Sequence, residues 1–164
     1  MFDDLLTANE RYRAEFHDSG VPGVAARGLA VLTCIDSRID PLAMLGLRAG
    51  DAKIIRNAGA RVTTDALRSL IVAANLLGAT RICVVHHTDC AMVGPTEDEI
   101  RNRIATMRGE DASAWSFLPS ADQLATLRDD IELITSCALM PPGIRVSGFV
   151  FDVHSGALTQ VTNP

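Results

Sequence analysis

The chain of 164 residues lacks the features that would indicate a nucleic-acid or membrane protein. Its formal net charge is −5, so it has no basic excess with which to neutralise phosphates, and basic residues do not cluster with aromatic ones. No apolar run approaches the roughly 20 residues that would cross a bilayer. We therefore expect neither a nucleic-acid partner nor a membrane association.

Signals for secretion and for disulfides are also missing. The first residues, MFDDLLTANERYRAEF, begin acidic and contain no apolar core of a signal peptide, so we expect a cytoplasmic protein. In a reducing compartment the four cysteines are more often metal ligands, nucleophiles or core residues than disulfide partners. No C-x-x-C pair occurs, which argues against a redox role for Cys34.

What the chain does contain is an alternation of short apolar runs and amphipathic stretches. Strands are predicted at 28–34, 51–60, 81–88, 144–153 and 154–161. Helices are predicted at 2–16, 41–50, 63–79, 96–108 and 120–137. Strands that alternate with helices predict a single α/β domain over residues 1–164, whose mainly parallel sheet carries an antiparallel edge strand and is flanked by helices.

Three potential metal ligands lie at the predicted ends of two strands. Cys34 ends the first strand, and His87 and Cys90 form an H-x-x-C pair at the end of the third. Because the carboxyl ends of neighbouring parallel strands converge, these side chains would meet around one ion if the two strands are neighbours. A Cys₂His set suits zinc and leaves the fourth tetrahedral position open, as in catalytic sites. The alternative is a chance H-x-x-C motif with buried free cysteines.

The motifs in this order resemble those of the β-class carbonic anhydrases, which carry C-x-D-S-R or C-x-D-A-R after the first strand and H-x-x-C after the third. Here the motifs read CIDSR at 34–38 and HTDC at 87–90, and the segment RNAGA at 56–60, also shared with the family, lies between them. The resemblance extends to GFVFDVHSGAL near the end of the chain and so covers nearly all of it. The short chain resembles the compact bacterial and fungal branch, which includes carbonyl sulfide hydrolases.

The resemblance implies a zinc enzyme that interconverts carbon dioxide and bicarbonate by means of zinc-bound hydroxide. The three residues Cys34, His87 and Cys90 would bind the ion, and Asp36 and Arg38 would form a catalytic dyad. The family also implies a homodimer or homotetramer. Its N-terminal helical arm, here residues 1–18, would pack on a neighbouring subunit.

The charges around the ion explain why a dyad is needed. Zinc with two thiolates and a neutral imidazole has no net charge, so hydroxide and the carboxylate of Asp36 compete for the same position. By pairing with Asp36, Arg38 would hold the carboxylate off the metal, where it accepts a hydrogen bond from the bound water. At lower pH, Asp36 is expected to move onto the ion and close the site. Taken alone, the two residues would indicate a strand-end cap with a surface ion pair.

Four further residues bear on the site. Gly59 is predicted to let the backbone approach the substrate closely, with a plain turn glycine as the alternative. His86 should point to the opposite face of the sheet from the neighbouring ligand, because strand side chains alternate. His17 and His154 lie near predicted turns, and the sequence selects neither as a proton acceptor.

The three predicted metal ligands do not determine which substrate the enzyme uses. Carbonyl sulfide and carbon disulfide are, like carbon dioxide, small, linear and electrophilic at carbon, so the same zinc site would serve a hydrolase of either. A non-catalytic zinc-binding module is a further alternative. Asp36 and Arg38 argue against it, because a purely structural site has no use for an open position and a dyad.

Overall fold

The structure, a computed structural model, describes residues 1–17 and 20–161. Its strands are β1 (Leu29–Cys34), β2 (Ala52–Asn57), β3 (Arg81–His87), β4 (Arg145–Phe151) and β5 (Leu158–Val161). They form one sheet in the order β2-β1-β3-β4-β5, in which the first four strands are parallel and β5 pairs antiparallel with β4. The predicted α/β sheet with its antiparallel edge strand is confirmed. Residue 18 of the predicted arm and residues 162–164 lie outside the described residues.

Four of the five α-helices within the described residues follow the first strand, and each of these four begins at a capping side chain. The helices are α1 (Asp3–Glu15), α2 (Pro41–Met44), α3 (Thr64–Leu76), α4 (Glu97–Arg108) and α5 (Gln123–Thr135), with a 3₁₀ turn at Ala58–Ala60. Thr63 caps α3, and Thr96 forms a capping box with Glu99 at the start of α4. The helix predicted over 41–50 is shorter in the structure, because Gly46 follows it with a left-handed φ of 61°. Within the described residues, no helix combines the length and apolar character that a bilayer crossing requires.

Apolar layers cover both faces of the sheet. On one face, Leu32 and Val84 of the central strands pack with Leu70 of α3 and Leu127 of α5. On the other face, a second layer contains residues such as Val31, Leu47, Val85 and Phe151. All six residues of β1 are buried, as predicted for a strand covered on both faces. The sheet therefore holds the ends of β1 and β3 on a rigid support.

Helix α1 belongs to neither layer. None of its residues is buried, and its exposed apolar side chains include Leu5, Leu6 and Tyr12, followed by Phe16 just after the helix. The rings of Tyr12 and Phe16 contact each other, with their centroids 5.6 Å apart. A helix of this length is only marginally stable without packing. The arm thus presents an apolar surface that the described part of its own chain does not cover.

Candidate metal centre

The parallel register of β1 and β3 brings the three predicted ligands to one edge of the sheet. Thr33 of β1 is level with Val85 of β3, so Cys34 and His87 end neighbouring strands. Cys90 returns to the same edge through the turn after β3. The cysteine sulfurs and a ring nitrogen of His87 all lie within 4.8 Å of one another, and all three residues are buried.

The ring of His87 is oriented as a metal ligand would be. Its Nδ1 lies 2.8 Å from the carbonyl of Thr88, to which it donates a hydrogen bond, and in the neutral imidazole this leaves Nε2 without a hydrogen. Nε2 is buried and finds no hydrogen-bond partner among the described residues. Buried polar atoms are rarely left in this state, so the cluster fits a cation that Nε2 would coordinate.

The two thiols differ in their affinity for a proton. A hydrogen bond from the Cys90 thiol, supported by His87 and the backbone amides of Asp36 and Gly59, lowers the pKa of Cys34 well below its ordinary value, although burial acts in the opposite direction. The neighbouring Cys34 thiolate and burial raise the pKa of Cys90. The pair therefore shares one proton and one negative charge, and a divalent cation between the sulfurs would displace the remaining proton.

Asp36 and Arg38 form a two-pronged ion pair beside the cluster. The guanidinium donates to both carboxylate oxygens, from Nε to Oδ1 at 3.0 Å and from Nη2 to Oδ2 at 2.8 Å. The backbone amide of Arg38 also donates to Oδ1, at 2.9 Å. These bonds hold the pKa of Asp36 far below its usual value. Asp36 Oδ2 also lies 3.9 Å from Nε2 of His87, so the carboxylate sits next to the ligands while Arg38 holds it.

Arg38 also connects the ends of the two strands. Its Nη1 donates to Oδ2 of Asp89 at 2.7 Å, and its Nη2 donates to the carbonyl oxygen of Asp89 at 2.9 Å. Asp89 adopts a positive φ of 55°, which is uncommon for a residue with a side chain. One guanidinium thus ties the CIDSR segment after β1 to the HTDC segment after β3.

Comparisons with known proteins agree with this geometry. A family model described as carbonic anhydrase matches residues 29–113. A β-carbonic anhydrase 1 from Mycobacterium tuberculosis is 36% identical over 160 residues, which cover 98% of this chain and 97% of that protein. The chain belongs to the β-carbonic anhydrase family. A crystal structure of a carbonic anhydrase from Streptococcus mutans matches with a TM-score of 0.92 at 37% identity, covering 98% of this chain and 97% of that one.

A relative of different specificity also matches. A carbon disulfide hydrolase from Saccharolobus solfataricus is 32% identical over 165 residues, which cover 86% of this chain and 79% of that protein. As a β-carbonic anhydrase family member the chain is an enzyme with zinc as its cofactor. The cluster of two thiols and one imidazole is a donor set that suits this ion.

Arg56, which the sequence marks only as part of a shared segment, supports the loop of the β-carbonic anhydrase motif. From the end of β2 it donates through Nε to the carbonyl of Cys34 at 2.8 Å and through Nη2 to the carbonyl of Asp36 at 2.7 Å. Gln123 supports the other strand, since its amide donates to the carbonyl of His87 at 2.8 Å. The position of Arg56 at the end of a strand was a usable sequence signal, whereas Gln123, which is distant in sequence, had none.

Gly59 lies directly against the cluster. Its backbone N–H points at Sγ of Cys34 at 3.4 Å, and its φ of 76° is one that side chains disfavour. A Cβ at this position would lie 3.2 Å from Cβ of Met92. Gly59 therefore lies beside the predicted ligand Cys34. Its contact with the substrate remains a prediction.

His86 faces away from the cluster, as predicted from strand alternation. It lies on the side of α5, with Nε2 3.8 Å from the buried carboxylate of Asp130, a distance too long for a hydrogen bond. Asp130 accepts hydrogen bonds from Arg61 Nε at 2.8 Å and from the amide of Val62 at 3.2 Å. Burial acts to raise the pKa of Asp130, but His86, Arg61 and the amide of Val62 outweigh it and lower this pKa. The buried carboxylate thus anchors α5 to the segment that carries Gly59.

Proposed function

We propose that this chain catalyses the reversible hydration of carbon dioxide to bicarbonate and a proton. The observation that carries the proposal is the Asp36–Arg38 ion pair, which stands next to a three-donor cluster with its carboxylate held by the guanidinium. Three protein ligands leave a fourth coordination position free, as a catalytic zinc site requires. The similarity to β-carbonic anhydrase 1 over almost the whole chain supports the same reaction.

In this proposal Cys34, His87 and Cys90 hold the zinc ion. When bound, zinc would supply a Lewis acid that lowers the pKa of water, to about 7 in a carbonic anhydrase with three histidine ligands. Two thiolates donate more charge than two imidazoles and make zinc a weaker Lewis acid, so we expect a working pH on the alkaline side. The protein's own groups do the rest. The carbonyl of Thr88 fixes the imidazole tautomer of His87, and the N–H of Gly59 stabilises the negative charge on Cys34.

Asp36 and Arg38 orient the nucleophile. Oδ1 of Asp36 accepts from both Nε and the backbone amide of Arg38, whereas Oδ2 accepts one hydrogen bond, from Nη2. Oδ2 therefore has a further lone pair with which to accept a hydrogen bond from an attacking water. Arg38 in turn is held by Asp89, so it does not swing away when the carboxylate is approached. The pair keeps the carboxylate near the reacting water and prevents it from occupying the position of that water.

Carbon disulfide or carbonyl sulfide hydrolysis is the second candidate, and the carbon disulfide hydrolase relative favours it. Either substrate would use the same three-donor cluster and the same dyad. The β-carbonic anhydrase 1 relative is more similar in identity and in the share of the chain covered, so hydration of carbon dioxide comes first.

The test is a stopped-flow assay of carbon dioxide hydration at mildly alkaline pH, on protein of known zinc content, with parallel assays on carbonyl sulfide and carbon disulfide. We expect fast hydration that falls by roughly 10²-fold or more in an Asp36→Asn variant with unchanged zinc content. If fully zinc-loaded protein hydrates carbon dioxide negligibly but turns over carbonyl sulfide or carbon disulfide, hydrolysis of the sulfur substrate replaces carbon dioxide hydration as the function. If zinc-loaded protein is inactive on all three substrates, the remaining alternative is a non-catalytic zinc-binding module.

The proposal includes a homodimer or homotetramer in which the N-terminal arm packs on a neighbouring subunit. The exposed apolar side chains of Leu5, Leu6 and Tyr12 on α1 support it, because a second copy of the chain would remove this surface from water. The arm then buries its apolar face in the assembly and not against its own chain.

A cytoplasmic location completes the proposal. Two of the four free cysteines form the cluster, and both must stay reduced to bind zinc. A reducing compartment keeps them in that state.

A further inference from the structure

The chain has four histidines, and the structure distinguishes their surroundings. His87 belongs to the cluster, His86 is buried on the opposite face of the sheet, and His17 follows the exposed helix α1. His154 lies in the turn between β4 and β5, with its side chain 71% exposed. His154 and His17 are both exposed, and His154 is the one that lies on the turn bonded to the segment after β3.

The turn that carries His154 is tied to the HTDC segment. The hydroxyl of Thr88, which follows β3, accepts from the amide of Val153 at 3.2 Å and donates to Oδ1 of Asp152 at 3.3 Å. Asp152 also accepts from the amide of His154 at 2.9 Å and from the hydroxyl of Ser155 at 2.8 Å. These bonds hold the backbone of His154 beside the segment that contains Asp89.

The imidazole of His154 lies beside the chain of hydrogen bonds that begins at the dyad. Its Nε2 lies 4.0 Å from Oδ2 of Asp89, the same oxygen that accepts from Arg38 Nη1 at 2.7 Å. Arg38 in turn holds Asp36 beside the cluster. The charged groups that face His154 are thus Asp89 from the β3 turn, with Arg38 behind it, and Asp152 from its own turn.

Hydration of carbon dioxide requires a group that transfers a proton from the site to solvent. Addition of water to the carbon yields bicarbonate and one proton, which must leave before the next turnover. Arg38 does not carry it, because a guanidinium does not lose its proton in proteins. A neutral imidazole has one donor and one acceptor nitrogen, so it is able to accept a proton from the site and release one to buffer.

We propose that His154 is the proton acceptor that passes the proton released during hydration to the solvent, with the Asp89 carboxylate close enough to pair with the ring once it is protonated. This inference rests on the proposed hydration of carbon dioxide. The proton moves through intervening water from the neighbourhood of Asp36 to the free Nε2 lone pair, and the opposite ring nitrogen or Nε2 itself then releases a proton to buffer. No electrons are exchanged, and one proton enters and leaves the ring in each turnover.

The experiment compares zinc-loaded wild-type protein with His154→Ala and the matched control His17→Ala. We expect His154→Ala to lower kcat for hydration roughly tenfold at low buffer concentration, less than the loss of a fixed general base, because solvent still accepts protons slowly. The value of kcat/KM should not change, since carbon dioxide reacts before the proton is exported. Added imidazole buffer should restore kcat, and His17→Ala should behave as wild type.

A second measurement tests the geometry without turnover. In NMR spectra of the zinc-loaded protein, Asp89→Asn should move the ring resonances of His154 and leave those of His17 in place. The inference is overturned if kcat of His154→Ala equals that of wild type at low buffer, or if kcat and kcat/KM fall together without rescue by imidazole. Wild-type protein that does not hydrate carbon dioxide overturns the proposed function as well, and that result is visible before any variant is compared.

Discussion

Arg38 is the residue whose side chain bears most directly on the state of the candidate site. It directs its donors to both oxygens of Asp36 and to Asp89, and its own side chain is 40% exposed. An exposed ion pair of this kind contributes little to stability. In the proposed function, the role of Arg38 is to fix the position of the Asp36 carboxylate.

We predict that Arg38→Ala lowers carbon dioxide hydration by roughly 10²-fold while zinc content is retained, because Asp36 is then free to move toward the cation. Stopped-flow kinetics and metal analysis measure the two quantities. The matched control is Arg68→Ala, which removes an exposed Arg–Asp pair of the same length from α3. Equal activities for the two variants would contradict the role given to Arg38.

Gly59 allows a prediction about stability at the same scale. We expect Gly59→Ala to lower the free energy of unfolding by about 1–3 kcal/mol, because alanine would be strained at φ 76° and its Cβ would crowd Met92. Gly46→Ala is the control, since Gly46 has φ 61° but no atom within 4 Å of an added Cβ. Denaturant unfolding should show the larger loss for Gly59→Ala, and an equal loss would mean that the contact with Met92 contributes nothing.

At the scale of elements, the Asp130 carboxylate joins α5 to the segment after β2. It is fully buried and paired with Arg61, whose side chain is 18% exposed. A buried ion pair is weak evidence of net stabilisation, but removing one partner leaves the other charge uncompensated. Breaking the pair between Asp130 and Arg61 therefore lowers the free energy of unfolding by more than forming the pair contributes to it.

We predict that Asp130→Asn lowers the free energy of unfolding at pH 7 by roughly 3 kcal/mol. The folded pKa of Asp130 is lowered, so its contribution is complete above the unfolded pKa of about 3.9 and is lost as the pH falls through the folded value. The difference between wild type and variant should be constant from neutral to mildly acidic pH and shrink below about pH 4. Urea unfolding over this range measures it.

The control for this prediction is Asp65→Asn, which removes the exposed partner of Arg68 and should change stability by less than about 0.5 kcal/mol. An Asp130→Asn variant no less stable than this control would contradict the anchoring role. So would a difference from wild type that grows as the pH falls.

At the scale of the whole molecule, the exposed arm predicts an assembly. Leu5→Glu places a charge on the apolar face of α1 and should weaken the association of subunits by at least about tenfold. Ala14→Glu, on the opposite side of the same helix, is the matched control. Sedimentation at several concentrations measures the mass, and a Leu5→Glu protein that sediments as wild type would contradict packing of the arm on a neighbouring subunit.

Much of the site could be predicted from the chain because its residues lie at the ends of strands. Apolar runs located Cys34 and His87 at two strand ends, and the H-x-x-C spacing added Cys90. The roles of Asp36 and Arg38 came from the resemblance to the β-carbonic anhydrases. The structure confirms that β1 and β3 are neighbours, which the prediction required. Helix boundaries were less predictable, as α2 shows, because a glycine with left-handed φ ended it earlier than the apolar pattern indicated.

By itself, the sequence determined the α/β alternation, the family motifs and the donor types, since these depend on local spacing and on the chemistry of single side chains. Which groups meet depends on how the chain folds. The tertiary structure aligned β1 with β3, turned Arg38 toward both Asp36 and Asp89, and placed the imidazole of His154 4.0 Å from Asp89. Contacts such as these join residues far apart in the chain, and the folding of the sheet, not any local pattern, brings them together.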